Sequence, residues 1–222
     1  YTSFREAGWH KLPLPDKQNI MFADFRRDPD QYPLKTPSGK IEIFSSTVAS
    51  FAYDDCLGHP AWFAPPEWLG AAEDTYPLHL LSNQPRTKLH SQLDQGPVAA
   101  AAKIKGREEV QMHKDDAAAR GIEEGDIIRL FNARGAIYVG VRTTDQIRHG
   151  VVMVPTGAWL DLDKDDPELC KHGNPNMLAP DRPTSKLAQG PAAHSCLVQA
   201  EAVDQTRLPE VTAFIPPVIE KG

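Results

Sequence analysis

Short apolar segments alternate with turn signals from Tyr76 onward, and this pattern constrains the fold most strongly. Such segments, bounded by glycine, proline and acidic residues, predict short β-strands. The predicted strands are residues 76–81, 110–113, 127–132, 136–142, 151–155 and 196–200. The third and fourth of them should form a hairpin about Gly135, which supplies a positive φ. Acidic residues at the start and Arg120-Gly121 at the end predict one short helix over 115–121. This is the pattern of a mainly β chain with minor α content, folded as a closed β-barrel.

The first 75 residues have a different texture, rich in proline and aromatic residues and poor in periodicity. Only residues 40–44 alternate there, which predicts a short strand paired in a hairpin. We interpret 1–75 as an extended connecting segment that needs another surface to pack on. Because the first residue, Tyr1, is not an initiator methionine, we expect that surface to belong to upstream domains of the same polypeptide. The barrel spans 76–203. Residues 204–222 form a C-terminal tail, and we expect 211–217 to lie against the barrel.

The composition excludes several classes of protein. The chain of 222 residues carries a net charge of −6, which argues against general nucleic-acid binding, and it has no apolar run long enough to span a membrane. Its three cysteines form no C-x-x-C, and its eight histidines show no spacing typical of a metal site. We therefore assign no catalytic residue and no metal ligand.

A first polar cluster, residues 82–92, follows the first predicted strand and is dense in cations, amides and hydroxyls. If this stretch is extended, Arg86, Lys88 and His90 share one face, an arrangement that suits a pyrophosphate. A solvated polar loop is the alternative interpretation.

A second polar cluster covers residues 173–178 and 181–190, about ninety residues further on. Its Asn, Gln and Thr side chains offer paired donors and acceptors that suit the edge of a pterin or guanine. The alternative is an Asn/Pro-rich loop followed by a helical turn capped by Thr184 or Ser185. Because binding loops converge at one end of a barrel, we expect the two clusters to lie side by side.

Taken together and in this order, the two clusters resemble the C-terminal molybdopterin-dinucleotide-binding domain of the dimethyl-sulfoxide-reductase family. Among its members, the S-oxide and N-oxide reductases are the most similar. The matching stretches include residues 36–43, 89–93, 107–110 and 184–190. The sequence departs from the family at Gln84, where members often have histidine. The resemblance implies a double-psi β-barrel and a bis(molybdopterin guanine dinucleotide) cofactor with molybdenum.

The clusters and the resemblance together predict one set of cofactor-binding residues. They are Ser82, Asn83, Gln84, Arg86, Lys88, His90, Ser91, Gln92, Asn176, Thr184 and Gln189. The resemblance further implies that the full-length bacterial enzyme reduces small-molecule S-oxides or N-oxides by two-electron oxygen-atom transfer, with biotin sulfoxide favoured. The isolated chain should be inactive. Formate or nitrate chemistry and a non-enzymatic barrel that binds a partner are the alternatives. We expect a cytoplasmic location, with the periplasm as the alternative.

Overall fold

The computed structural model describes residues 1–13 and 19–215. The chain divides into two compact units, Tyr1–Ala61 and Trp62–Gly222. Each unit is described by itself.

The first unit is built from short helices and turns. Its helices are α1 (Thr2–Ala7), α2 (Ala23–Arg27) and α3 (Ser46–Ala49), and none of them contains a buried residue. The strand predicted over residues 40–44 is wrong: Ile41 and Ile43 are 73% and 78% exposed, and no strand lies in the described part of this unit. The alternation therefore does not bury a face against a partner strand, which is what a stable hairpin requires.

The second unit contains all the strands that the structure describes. They are β1 (Leu78–Leu81), β2 (Glu109–His113), β3 (Ile127–Asn132), β4 (Gly135–Thr144), β5 (Val151–Met153), β6 (Leu169–Cys170) and β7 (Leu197–Ala202). Two helices, α4 (Pro97–Ala102) and α5 (Lys114–Ala118), and the 3₁₀ turns Leu69–Ala71 and Pro175–Met177 complete the unit. Helix α5 starts one residue before its predicted position, where the His113 side chain caps it by accepting the Asp115 N–H at 3.2 Å.

Six of these strands close into a barrel. The hydrogen-bonded order is β2-β5-β1-β7-β3-β4, and a parallel pairing of β4 with β2 closes the ring. The β1–β5 pair is also parallel, whereas β3–β4 and β3–β7 are antiparallel. Strand β6 lies outside the ring and pairs with β4. The predicted barrel is thus confirmed, while β6 and α4 were not predicted.

The alternation of apolar residues along the strands explains the core. Leu78 and Leu80 of β1 and Val110 and Met112 of β2 are almost fully buried. The other strands contribute to the same cluster with Ile128, Leu130, Ile137, Val139, Val141, Val152 and Val198. Each such side chain stabilises the fold by about 1.5–3 kcal/mol relative to exposure. The barrel interior is therefore a packed core, and any ligand must be bound at its rim.

The β3–β4 hairpin is confirmed, and its turn is held from the side. The Asn132 side chain accepts the Arg134 N–H at 2.9 Å and donates to the carbonyls of Leu178 and Leu197 at 3.0 and 3.1 Å. Gly135 has a φ of 158°, and a Cβ there would lie 2.8 Å from the Glu168 carbonyl oxygen. The glycine is therefore required by the close approach of a neighbouring chain segment as well as by its φ.

The tail lies against the barrel as far as the structure describes it. Thr212 donates its N–H and its hydroxyl to Asp161 at 2.7 and 2.6 Å. The Phe214 ring packs edge-on against Trp159 and His172. Pro216 and Pro217, the end of the predicted contact, lie outside the described residues. Among the described helices, none is long and apolar enough to cross a membrane.

Candidate functional site

The first polar cluster begins where β1 ends, and the loop after β5 runs beside it. The Ser82 hydroxyl donates to the Val154 carbonyl at 3.1 Å, and the Thr156 N–H donates to the Asn83 carbonyl at 2.9 Å. The Ser82 N–H donates to Nδ1 of His194 at 3.3 Å. The parallel β1–β5 pairing delivers both loops to the same edge of the sheet. Residues 82 and 83 are therefore held by hydrogen bonds to residues 154, 156 and 194.

The condition under which Arg86, Lys88 and His90 would share one face, an extended chain, is not met. The chain instead forms a tight turn, in which the Gln92 N–H donates to the Leu89 carbonyl at 2.9 Å and His90 has a φ of 50°. This turn, residues 89–92, brings Nδ1 of His90 to 3.2 Å from Nε2 of Gln84. The turn exposes the His90 and Ser91 side chains and directs Lys88 into the protein.

The assignment of Lys88 as a phosphate contact is contradicted by its position. Its side chain is 1% exposed, and its ammonium is bonded to Asp94 at 2.6 Å and to Glu108. Burial lowers the pKa of Lys88, but the hydrogen bonds to the two carboxylates outweigh burial and leave that pKa above its ordinary value. The cation is therefore already neutralised inside the protein and does not face a ligand.

One cleft brings the two polar clusters together. It has a volume of about 610 Å³ and is lined by His90 and Ser91 of the first cluster, residues 156–160, and Asn174 and Asn176 of the second. Asn176 follows Asn174, whose side chain accepts the Asn176 N–H at 3.0 Å. The expected convergence is thus found for this part of both clusters.

The remaining predicted residues are spread over neighbouring surfaces. Asn83 and Arg86 line a cleft of about 410 Å³ together with Pro155, which is adjacent in sequence to Thr156. Thr184 lines a third cleft of about 510 Å³, which also contains Arg182 and His194. Gln92 and Gln189 are exposed and line none of these three clefts.

The loop that carries Thr184 and Gln189 is closed on itself. The Thr184 N–H donates to the Gly190 carbonyl at 2.7 Å, and the Thr184 hydroxyl donates to the Ala188 carbonyl. The Ser185 hydroxyl accepts the Ala188 N–H at 2.8 Å. These are contacts of a compact loop. The helical turn capped by Thr184 or Ser185, which was the alternative interpretation of the sequence, is not formed.

Two buried polar atoms at these clefts have no partner among the described residues. They are Oδ1 of Asn83 and Oγ1 of Thr156. A buried polar atom without a hydrogen bond costs about 1–3 kcal/mol. A ligand that offers N–H or O–H groups at the clefts would recover that cost. The alternating donors and acceptors of a pterin or a guanine have this character, so the residues present fit such a group.

Sequence reasoning missed several residues that line the clefts. The most important are Thr156 and Gly157, which follow β5, and Trp159, whose indole N–H donates to the Ser91 carbonyl at 2.8 Å. Their one sequence signal was Pro155 at the end of a predicted strand, which marks a turn. His194 gave no signal, because a single histidine in a loop can have many roles, and Arg182 lies in the second polar cluster but was not assigned to the cofactor.

Two histidines that are far apart in the sequence meet in the structure. The rings of His113 and His149 have centroids 3.6 Å apart, and Oδ2 of Asp115 lies 3.7 Å from a nitrogen of each. However, Nδ1 of His113 accepts the Asp115 N–H, and Asp116 accepts the Gly150 N–H at 2.8 Å. These contacts explain the cluster as the attachment of the β4–β5 loop to α5.

Comparison with known proteins agrees with the geometry. The family model described as "Molydopterin dinucleotide binding domain" matches residues 78–197. The chain is 46% identical to biotin sulfoxide reductase of Cereibacter sphaeroides over 91% of its length, and 44% identical to trimethylamine-N-oxide reductase of Haemophilus influenzae over 90%. It covers 27% and 25% of those proteins, and so spans about a quarter of the relatives that it matches.

A solved structure supports the fold. Acetylene hydratase from Pelobacter acetylenicus superimposes with a TM-score of 0.64 over 79% of this chain and 25% of that protein. At 19% sequence identity this similarity shows the fold alone. The family model covers more than half of the chain and includes both polar clusters and the barrel strands β1 to β5, and it ends at the first residue of β7. The chain therefore belongs to the molydopterin dinucleotide binding domain family.

Proposed function

We propose that this chain is the part of a molybdenum S-oxide or N-oxide reductase that binds its bis(molybdopterin guanine dinucleotide) cofactor, with biotin sulfoxide as the favoured substrate. One observation supports the site above all others. A single cleft gathers His90, Ser91 and Asn176 from two distant polar clusters, and the unpartnered Thr156 hydroxyl belongs to its lining.

Each side chain has a role that follows from its chemistry. The exposed Arg86 guanidinium suits the pyrophosphate, because it donates in a fixed fork that matches phosphate oxygens. Asn83, Thr156 and Asn176 suit the heterocycle edges, because amide and hydroxyl groups both donate and accept. The third cleft, which is lined by Thr184 and the Arg182 guanidinium, is a second place where one dinucleotide could be bound. Gln189 belongs to the same loop as Thr184. Lys88 has no part in these contacts.

The activity of the whole protein is also a proposal, because the chain spans about a quarter of its relatives. When bound, the cofactor supplies the two-electron chemistry, while this chain binds and orients the dinucleotide. Trp9, Phe22 and Phe44 of the first unit are more than half exposed, and we propose that they pack on other domains of the same polypeptide. No observation favours formate or nitrate chemistry or a non-enzymatic barrel. The cytoplasmic location stays a prediction.

The test is cofactor analysis of the full-length protein that contains this sequence. We expect molybdenum, pterin and guanine nucleotide, with about two guanine nucleotides for each molybdenum. Arg86→Ala and Asn176→Ala should each lower the cofactor content, because each loses hydrogen bonds worth about 1–3 kcal/mol. Arg207→Ala and Asn19→Ala, at exposed positions elsewhere, serve as matched controls. Unchanged content in both site variants would contradict the site.

The same preparation tests the substrate. We expect turnover of biotin sulfoxide with a higher kcat/KM than trimethylamine N-oxide. The reverse order would retain the cofactor site but reject the favoured substrate. A protein that is fully loaded with cofactor and reduces neither compound would reject the S-oxide and N-oxide assignment.

A further inference from the structure

Four charged side chains meet inside the barrel unit. Lys88, Asp94, Lys103 and Glu108 have side chains that are 1%, 0%, 3% and 7% exposed. Oδ1 of Asp94 lies 2.6 Å from the Lys88 ammonium and 2.8 Å from that of Lys103. Glu108 contacts the same two ammonium groups. We call these four residues the buried ion cluster; its charges balance.

The buried ion cluster is bonded to both walls of the proposed cofactor cleft. Lys88 directly precedes the turn 89–92, which carries His90 and Ser91. Oδ2 of Asp94 accepts the Trp159 N–H at 3.0 Å, and the Trp159 indole donates back to the Ser91 carbonyl at 2.8 Å. One carboxylate therefore connects the turn on one side of the cleft with the loop on the other.

Stability alone does not explain these charges. Transfer of four charged groups from water into a protein interior carries a large desolvation penalty, and well-packed apolar residues of similar volume are often at least as stabilising. Directed bonds, in contrast, fix a geometry that apolar packing leaves adjustable. The pKa of Asp94 supports a charged cluster: burial raises it, but the bonds from Lys103, Lys88 and Trp159 outweigh burial and hold it below its ordinary value.

We propose that Lys88 and Asp94 are positioning residues, which hold the turn 89–92 and the Trp159 loop in the arrangement that receives the dinucleotide. This inference rests on the proposed function for its ligand, but the geometry that it predicts can be measured without the ligand. Lys88 acts through the turn and does not touch the cofactor.

The experiment separates positioning from stability in the full-length protein. Lys88→Met alone leaves two buried carboxylates with one ammonium group, that of Lys103, so both the denaturant midpoint and the cofactor content should fall. Lys88→Met with Glu108→Gln removes one charge of each sign. The denaturant midpoint should return towards that of the unsubstituted protein, while the cofactor content stays below half. Lys88→Arg, which keeps the cation, should restore much of the content.

A second measurement follows the geometry itself. The Trp159 indole N–H donates to the Ser91 carbonyl. The rate at which this proton exchanges with solvent deuterium therefore reports whether the Trp159 loop stays bonded to the turn 89–92. Exchange can be followed by NMR of tryptophan-labelled protein, with the resonance assigned through Trp159→Phe. We expect at least tenfold faster exchange in the double variant. Lys114→Met with Asp145→Asn removes an exposed ion pair elsewhere, and it should change neither exchange nor content.

The outcomes are distinct. If the double variant has the same cofactor content and the same rate of indole exchange as the unsubstituted protein, the cluster only stabilises the fold. That result would overturn the proposal. If the unsubstituted protein contains no pterin and no guanine, the proposed function fails. The indole exchange then still decides whether the cluster positions the turn.

Discussion

Gly157→Ala should disturb the candidate site more than any other exchange of a single hydrogen for a methyl group. Gly157 lies in the loop after β5 with a φ of +94°, directly over the turn 89–92. A Cβ at this position would lie 1.9 Å from the His90 carbonyl oxygen and 2.8 Å from the Ser91 nitrogen. Both are backbone atoms, which cannot turn aside as a flexible side chain can. The turn or the loop must therefore move.

The expected cost has two parts. A non-glycine residue in this region of φ is strained by about 1–3 kcal/mol. Overpacking against fixed atoms adds about 1–3 kcal/mol. Together they predict a loss of about 2–6 kcal/mol in the free energy of unfolding, limited by the cost of displacing the loop. Gly125→Ala is a matched control, because Gly125 has a φ of +83° but no atom within 4 Å of the position that a Cβ would take. It should lose only the first part.

Urea unfolding of both variants measures this difference, and cofactor analysis of the same full-length preparations measures its consequence for the site. Gly157→Ala should be less stable than Gly125→Ala by about 1 kcal/mol or more, and it alone should have a lower cofactor content. Equal stability and equal content in the two variants would refute the close approach of the loop to the turn.

Three further predictions concern other parts of the chain. Gly135→Val should destabilise the barrel by more than about 1 kcal/mol, because its Cβ would press on the Glu168 carbonyl; unchanged thermal unfolding would count against the turn. Burial and the nearby Lys103 lower the pKa of His172. Below about pH 6.5 the unfolded state therefore binds a proton that the folded state does not, and the free energy of unfolding should decrease as the pH is lowered. His172→Asn should reduce this loss between about pH 7 and about pH 5 in urea unfolding; an identical pH dependence would show that His172 does not cause it. Residues 1–61, whose helices bury no residue, should exchange their amide protons faster than β2 and β4 in the isolated chain, and uniform protection would refute this.

The barrel could be predicted because its strands have a local signal. Alternation in β2 and β3 and the glycine of the β3–β4 hairpin are visible in a single sequence, and each agrees with the final topology. Strand β6 could not be found in this way, because two residues carry no periodicity. The same alternation gave a wrong strand at Ile41 and Ile43, since a strand also needs a partner, which sequence alone does not show.

The sequence predicted which polar residues form the candidate site, but not the direction in which each side chain points. The polar residues after β1 and around Asn176 were recognised, since their density is a property of the sequence. The direction of Lys88 was missed, because it depends on Asp94 and on Glu108, twenty residues away, meeting it in space. The pairing of His113 with His149 was missed for the same reason.

The most direct test of the cofactor site is a structure of the full-length protein with its cofactor bound. We predict that a molybdopterin dinucleotide lies in the cleft between the turn 89–92 and Asn176, with hydrogen bonds to Asn83 or Thr156. We also predict that Lys88 stays bonded to Asp94 and Glu108. A cofactor bound against another face of the barrel, with His90, Ser91 and Asn176 in solvent, would contradict the site and the function proposed from it.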